Sequence, residues 1–191
     1  MSPFTHLLAS WIVAVHTIDN PRDARLVTLA GVLPDIDGLG LGLDLLKDPS
    51  LRGGAYYYQE YHHWLAHGIA GGLVIAILMT CFARCRWKVF GMALVAFHLH
   101  LICDLLGSRG PSPQDFWTIF YLGPFSRHWE LVWSHQWQLD GWQNRIIGCT
   151  LFLWALWLAV KHGHSFVGVF NRRLDSVVVG TLRKWFPPRL A

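Results

Sequence analysis

Charged residues are scarce in this chain of 191 residues, since Asp, Glu, Lys and Arg together make up 15% against roughly 25% in typical soluble domains. With 53% hydrophobic residues, this composition excludes a disordered or low-complexity protein. Runs of Lys and Arg with interleaved aromatic residues are missing, which argues against a nucleic-acid partner. Sustained apolar–polar alternation is also missing, so we predict an all-α chain.

Cysteine usage excludes a second group of proteins. The four cysteines form no CxxC pair, so neither a zinc ribbon nor a thioredoxin-type motif is indicated. They fall in or beside apolar segments, and we expect small buried apolar residues rather than disulfides. The first residues lack the basic start of a signal peptide, and we expect them to stay on the mature protein.

Tryptophan and histidine are abundant instead, with eleven of each. Tryptophan is favoured at membrane–water interfaces, and histidine is the commonest metal ligand. Apolar helices are predicted at residues 7–18, 22–33, 61–83, 89–103 and 146–160. A membrane span needs about 20 apolar residues, so the length of the shorter runs does not decide whether they cross a bilayer.

The distribution of basic residues favours a membrane protein. If the helices run up and down, eleven of the sixteen basic residues fall on one side: Arg22, Arg25, Arg84, Arg86, Lys88, Lys161, Arg172, Arg173, Arg183, Lys184 and Arg189. By the positive-inside rule this side is cytoplasmic. We therefore predict a multi-pass helical bundle in a bacterial-type inner (cytoplasmic) membrane, with a cytoplasmic C-terminus. A soluble or monotopic bundle is the alternative.

We divide the chain into a helical membrane domain, residues 1–164, and an amphipathic tail, residues 165–191. The tail carries apolar residues at helical spacing, with basic residues between them: Phe166, Phe170, Leu174, Val177, Val178 and Leu182. This pattern predicts either a helix lying on an anionic leaflet or a helix packed on the bundle.

Histidines and aspartates gather on the side opposite the basic residues. Separate segments deliver them there: His6, Asp35, Asp37, His62, His63, His67, His100 and Asp104. Alone, an HxxxD pair is an ordinary helix contact and a DxD pair an ordinary cap. Burying all of these histidines and aspartates beside an apolar bundle is energetically costly unless they are paired with one another or bound to a cation. Because His100 and Asp104 stand at i and i+4, both project from one helical face.

Imidazole and carboxylate without thiolate suit Zn²⁺, and also Mn²⁺ or Fe²⁺. We therefore predict a metal site that holds one or more ions at one end of the bundle. The predicted ligands are drawn from four segments of the sequence: His6, Asp35, Asp37, His62, His67, His100 and Asp104.

Four motifs follow one another in a family-like order: THLL at 5–8, LPDID at 33–37, His62-x4-His67, and His100-x3-Asp104 followed by Gly107. Over roughly residues 5–110 they resemble the YdjM-like membrane-bound metal-dependent hydrolases, which are distantly similar to zinc-dependent phospholipases C. LPDID is the most specific of the four. His63 stands where that family usually has arginine.

The resemblance implies a helical, zinc-dependent hydrolase. We expect it to cleave a phosphoester bond in a lipid or lipid-linked substrate at the periplasmic face. Bound metal lowers the pKa of water toward ~7 and stabilises phosphoryl charge. Asp35 and Asp37 are the candidate catalytic carboxylates, Asp37 either as bridging ligand or as general base, and His63 is a candidate phosphate contact. The Trp-rich stretch 117–142 is expected to receive the lipid.

Two other functions remain open from the sequence. The first is a non-catalytic membrane protein with a structural or sensory metal site, which a closed four-ligand site would favour. The second is a transporter or electron carrier with paired histidines inside the spans, for which His16 and His98 are the candidates. The sequence carries no indication of oligomeric state.

Overall fold

The computed structural model describes residues 1–50, 55–62 and 64–187. The described part of the chain is mostly helical, as predicted, with a long irregular region between residues 108 and 141 that contains a short antiparallel pair of strands, β1 (Ile119–Phe120) and β2 (Glu130–Leu131), with Ile119 opposite Leu131. The helices are α1 (Pro3–Thr17), α2 (Pro21–Ala30), α3 (Gly40–Lys47), α4 (Tyr56–Tyr61), α5 (Ile69–Cys81), α6 (Arg86–Gly107), α7 (Trp142–His162) and α8 (Arg172–Trp185). Two 3₁₀ segments, Leu33–Leu39 and Phe166–Val169, complete the list.

Helix α1 lies at the centre of the bundle. Ser2 caps its N-terminus by accepting a hydrogen bond from the Thr5 N–H, and Pro3 stands in its first turn, where a missing N–H costs nothing. The helix packs against α2, α6 and α7. Its side chains are buried along almost the whole length, including Leu8 and Trp11. His6, in the first turn, is therefore held inside the bundle.

A break after α2 positions the DxD pair. The helix ends at Ala30 and the chain bends by 47° into the segment that starts at Leu33. At this bend the backbone of Gly31 packs closely against α1 and α6. A Cβ at this position would lie 1.9 Å from the Ser10 Oγ and 3.2 Å from the Ala96 carbonyl oxygen, so a larger residue would displace its neighbours. The predicted helix 22–33 was thus too long at its end.

The apolar run 61–83 is not one helix, contrary to prediction. Helix α4 ends at Tyr61 and α5 begins at Ile69, so His62 and His67 lie in the turn between them. Gly68 is extended here and packs on Gly123, where a Cβ would lie 2.4 Å from the carbonyl oxygen. The Ile69 N–H donates to the Tyr121 carbonyl at 2.8 Å. A long-range contact therefore sets the start of α5.

One end of the bundle, here called the basic end, collects the α1–α2 turn, the α5–α6 turn and the tail. The buried carboxylate of Asp23 in α2 accepts hydrogen bonds from the backbone N–H groups of Arg84 at 2.9 Å and Cys85 at 2.8 Å. Arg183 in α8 donates to the Val160 carbonyl at the end of α7, at 2.9 Å. Arg25 of α2 also lines the same cleft as Asp175 of α8, so the predicted basic segments lie at a common end, opposite the histidines and aspartates. Arg189 lies outside the described residues.

Two helices, α6 and α7, are long and apolar enough to cross a membrane, and α2 with residues 33–47 forms a bent third candidate. Large apolar side chains face outward from the middle of the bundle rather than into it. They include Val74 and Ile77 on α5, Ile102 on α6, and Leu153 and Trp157 on α7. An exposed apolar surface of this kind marks a membrane or protein contact.

The cysteines are free, as expected, but only Cys103 is buried. Cys81, Cys85 and Cys149 are exposed because they lie on outward faces of the bundle. The tail forms α8, which packs on the bundle through the buried residues Asp175 and Val179. Of the two alternatives predicted for the tail, a helix packed on the bundle therefore describes one face of α8.

Replacing Gly31 with alanine is expected to destabilise the bundle. The added Cβ must displace Ser10, and overpacking a dense core costs ~1–3 kcal/mol. Gly91 in α6 is the matched control, since a Cβ there meets nothing within 4 Å and alanine favours a helix. Thermal unfolding in detergent should show a lower Tm for Gly31→Ala and an unchanged or higher Tm for Gly91→Ala. Equal Tm values would contradict the close packing at Gly31.

Candidate metal centre

Two groups of ligand atoms meet at the end of the bundle opposite the basic end. One comprises His6 of α1, Asp35 of the 3₁₀ segment and, from α6, His100 and Asp104; the other comprises Asp37, His62 and His67. Within each group, the candidate ligand atoms lie within 4.8 Å of one another. All seven predicted ligands are thus brought together. His63, the eighth predicted site residue, lies outside the described residues.

His67 joins the two groups into one cluster. Its Nε2 lies 3.2 Å from the Nε2 of His100 and 3.6 Å from the Oδ2 of Asp104. Its Nδ1 lies 3.1 Å from the Oδ2 of Asp37. The two groups therefore meet at a single imidazole, which is buried completely.

His100 and Asp104 share one face of α6, as their spacing predicts, with 3.1 Å between His100 Nε2 and Asp104 Oδ2. The His6 ring stacks on His100 at 3.8 Å, and its Nε2 lies 3.1 Å from Asp104 Oδ1. Within the described chain, however, neither His6 nitrogen makes a hydrogen bond, and the buried Oδ2 of Asp35 makes none either. The second oxygen of Asp35 lies 3.7 Å from His100 Nε2.

A positive charge is required at the centre of this cluster. His100 Nδ1 lies 3.0 Å from the Gly31 carbonyl, which can only accept, so Nδ1 carries the hydrogen and Nε2 of the neutral ring a lone pair. The Asp37 carboxylate fixes His67 in the same way. Neutral rings would thus aim two lone pairs at each other beside a carboxylate. Such an arrangement is repulsive unless a proton or a metal ion lies between them.

Asp104 has other partners on its second side. Its Oδ1 is contacted by the amino nitrogen of Met1 and, at 2.8 Å, by the Ser108 hydroxyl, which donates to it. Its Oδ2 faces the two histidine nitrogens. The carboxylate is 2% exposed, and burying it without such partners would cost several kcal/mol. Asp104 therefore anchors the cluster at the end of α6.

His67 shows how the site meets this requirement with a proton. Burial lowers its pKa, but hydrogen bonds and charge from Asp104 and Asp37 outweigh burial and raise the pKa to about 9. In the metal-free protein at pH 7 the ring therefore holds the proton that a metal ion would replace.

Asp37 is fully engaged by protein donors. Its Oδ1 accepts from His62 Nδ1 at 2.7 Å, and its Oδ2 accepts from His67 Nδ1 and from the Ala66 N–H at 3.0 Å. A carboxylate behind a histidine commonly orients a metal-binding imidazole. The sequence indicated a ligand or general base at this position, whereas these contacts favour an orienting role.

Trp117 covers two of the histidines. Its ring lies edge-on to His62 at 5.0 Å and to His67 at 6.0 Å. The side-chain amide of buried Gln136 holds its backbone through two hydrogen bonds of 2.8 Å, one to the N–H and one to the carbonyl. Trp117 belongs to the predicted Trp-rich stretch, but nothing in the sequence distinguishes Gln136 from any other loop glutamine.

Tyr58 is a second residue that sequence reasoning missed. Its ring lies 4.5 Å from His62, on a helix whose first N–H groups, those of Tyr57 and Tyr58, are bound by the buried Asp44 at 2.9 Å each. Burial raises the pKa of Tyr58, and the nearby charges of Asp35, Asp104 and Asp37 raise it further. The phenol therefore stays protonated and remains a hydrogen-bond donor beside the cluster.

The histidines proposed for an electron carrier do not pair. His16 is exposed and its Nδ1 lies 2.8 Å from the Ile12 carbonyl. His98 lies between the Leu94 carbonyl and the Tyr121 hydroxyl, at 2.7 and 3.0 Å. His16 is engaged on its own helix and His98 by its own helix and Tyr121, so these contacts give no support to a shared cofactor.

No protein-family model, curated protein or solved structure matches this chain. The resemblance to YdjM-like hydrolases therefore rests on the sequence motifs alone, and metal binding rests on the geometry of the cluster.

Zinc binding to the metal-free protein is expected to strengthen with pH. Because His67 has a pKa of about 9, it is protonated at pH 7, and zinc must displace that proton. The association constant should rise at least about tenfold per pH unit between pH 6 and 8, and the calorimetric heat should follow the ionisation enthalpy of the buffer.

The control for this experiment is His135→Ala, which removes an exposed histidine outside the cluster and should keep the same slope. An affinity for zinc that does not change over this pH range would contradict proton displacement from the cluster.

Proposed function

We propose that the protein is a membrane-embedded, metal-dependent hydrolase of phosphoester bonds in a lipid or lipid-linked substrate. The observation that carries the proposal is the convergence of His67 Nε2, His100 Nε2 and Asp104 Oδ2, while both Nδ1 atoms are engaged elsewhere. Hydrolysis is inferred from the sequence resemblance together with the chemistry that such ligands support.

The donor set fits a divalent cation. His6, His100 and Asp104 of the first group, joined by His67 through its contact with His100 Nε2, would supply three imidazoles and a carboxylate, a set that suits zinc and also manganese or iron. The fit is supported by the His6 nitrogens, which are buried without a hydrogen bond in the described chain. Asp35 lies at the rim, with its side chain 19% exposed against 3% for Asp104.

A metal ion held there would lower the pKa of a bound water and would stabilise the charge that develops on a phosphoryl group. Asp35, whose side chain is 19% exposed, would accept the proton of the attacking water and return it to the oxygen that leaves the phosphorus. Asp37 keeps His67 oriented through its hydrogen bond. The Tyr58 hydroxyl donates a hydrogen bond to a phosphoryl oxygen at the mouth of the site.

The membrane location rests on surface chemistry. The apolar outward faces of α5, α6 and α7 suit a lipid environment. Nine of the twelve acidic residues stand in segments at the metal end of the chain: Asp35, Asp37, Asp44, Asp48, Glu60, Asp104, Asp115, Glu130 and Asp140. With the basic end in the cytoplasm, the metal centre faces the periplasm.

A lipid substrate is supported by the surroundings of Asp35. Ile36, Leu39 and Leu43 are exposed by 54%, 69% and 53% and follow it along the 3₁₀ segment and α3. Trp129, in the loop region at the same end, and Trp142, the first residue of α7, are also exposed. Apolar and aromatic side chains at this level match the interface between acyl chains and headgroups.

A structural or sensory metal site is the second candidate. It is favoured by burial, since His6, His67 and His100 are each exposed by 1% or less. A site that keeps no exchangeable position holds its metal without performing catalysis. The two candidates differ in whether a water ligand can enter beside Asp35.

Hydrolysis is tested with purified protein in detergent, by elemental analysis and a phosphodiester panel. We expect bound metal in the wild type and its loss in His67→Ala. Asp35→Asn should lower kcat by about 10²-fold or more, the usual contribution of a general base. Asp140→Asn, which removes an exposed carboxylate of the same end, should leave kcat unchanged.

Full activity of an Asp35→Ala, Asp37→Ala double variant would exclude the catalytic proposal. Stable metal binding without any activity would favour the second candidate.

Orientation is tested by labelling with a membrane-impermeant maleimide. In a variant with Cys81→Ser and Cys149→Ser, the exposed Cys85 marks the basic end. We expect labelling of intact spheroplasts only after permeabilisation, because positive residues stay in the cytoplasm. A further Asp140→Cys substitution, at the opposite end, should be labelled from outside. Ready labelling of Cys85 in intact spheroplasts would reverse the topology.

A further inference from the structure

A groove between α7 and α8 lies at the basic end, on the opposite end of α7 from the metal centre. It has a volume of about 650 Å³ and apolar walls, formed mainly by Leu153, Leu156, Trp157, Val160, Leu182 and Phe186. Its volume falls in the range of sites that hold one small organic ligand, about 300–1,000 Å³. The groove opens on the apolar outer face of α7, where Leu153 and Trp157 are largely exposed.

Helix α8 presents a second apolar stripe outside the one that packs on the bundle. Phe170, just before the helix, and Leu174, Val177 and Trp185 are exposed by 56–70% and recur every three to eight residues, on one side of a helix of 3.6 residues per turn. Val179 is buried on another side. Packing on the bundle therefore leaves a long apolar stripe of α8 uncovered beside the groove.

Two cations stand at the polar lip of the groove. Lys161 lines the groove, with its Nζ 5.1 Å from the centre of the Trp157 ring. The Arg183 guanidinium lies beside it, with Nη2 3.5 Å from the Lys161 carbonyl oxygen and Nε bonded to the Val160 carbonyl. The lip therefore combines a compact ammonium with a planar guanidinium, the two side chains that bind phosphate best.

The carboxylates of the basic end do not neutralise this lip. Asp23 and Asp175 are buried and bound by donors of their own, the Arg84 and Cys85 N–H groups for Asp23 and Ser165 for Asp175. Asp19 lies 3.7 Å from Lys88, at the start of α6. Among the described residues, no carboxylate therefore forms an ion pair with Lys161 or Arg183, and an apolar groove with such a cationic lip is complementary to an amphiphile with an anionic head.

We propose that this groove binds one anionic phospholipid of the inner leaflet. The acyl chain lies along α7 between Leu153 and Val160, and the phosphate is held by Lys161 and Arg183. The site rests on the membrane location and the orientation proposed above, but it is independent of the metal centre and of hydrolysis. The exposed stripe of α8 lies in the same leaflet beside the bound lipid.

Lipid retention tests the site directly. The full-length protein is reconstituted in vesicles of equal phosphatidylglycerol and phosphatidylcholine, extracted in detergent and repurified, and the retained lipid is quantified by mass spectrometry. Wild-type protein should retain phosphatidylglycerol in preference to phosphatidylcholine, near one molecule per chain. Lys161→Gln should lower that preference about fivefold, the usual contribution of one cation near an anionic surface. Leu156→Trp, which fills the groove, should remove the bound lipid.

Lys88→Gln is the matched control, because Lys88 is a basic residue of the same end that lies outside the groove, and it should retain lipid as the wild type does. Monodisperse elution in gel filtration, measured in parallel, should be the same for all variants and reports that the bundle has folded.

Three results would overturn the proposal. Equal retention of the two lipids, or an unchanged preference in Lys161→Gln, would exclude an anionic headgroup at the lip. A lipid-free dimer that Leu153→Lys dissociates would assign the groove to a second copy of the chain. Protein that stays in the soluble fraction without detergent would refute the membrane location and this site together, whereas an inactive protein that still retains phosphatidylglycerol would refute only hydrolysis.

Discussion

The meeting of His67 and His100 is the constraint on which the metal end of this molecule depends. Each ring is fixed from behind, one by the Asp37 carboxylate and the other by the Gly31 carbonyl, so their Nε2 atoms face each other at 3.2 Å beside Asp104. A buried arrangement of this kind is stable only around a positive charge. The fold therefore brings side chains from distant parts of the chain into one cluster that needs a positive charge, either a proton or a metal ion.

The break after α2 serves both the packing of the bundle and this centre. Because the helix stops at Ala30, the Gly31 carbonyl has no partner in its own helix and accepts the hydrogen bond of His100. The same bend turns the following residues across the end of the bundle and brings Asp35 and Asp37 to the histidines. The Gly31 carbonyl, which the helix end leaves without a backbone partner, thereby accepts a hydrogen bond from the His100 side chain, as buried carbonyls require.

Sequence reasoning was sufficient where the signal is local or chemical. The spacing of His100 and Asp104 predicted that both lie on one helical face, and the gathering of imidazoles and carboxylates predicted the cluster. It failed where tertiary contacts decide. The run 61–83 contains no charge, yet Gly68 packs on Gly123 and the Tyr121 carbonyl binds the Ile69 N–H, so the helix starts late. Hydrogen bonds likewise separate Asp37 from Asp35, and Gln136 acquires its role only because Trp117 lies beside it in space.

The spread of the cluster along the chain has a consequence for biosynthesis. His6 is translated before α2 and α5, whereas its neighbours His100 and Asp104 follow only with α6. Until α6 has been made and has packed against α1, the nascent chain carries only those candidate ligands that precede α6. Any ion is consequently acquired late, after assembly of the helices from α1 to α6, and the empty nascent chain must carry its histidines protonated or solvated in the meantime.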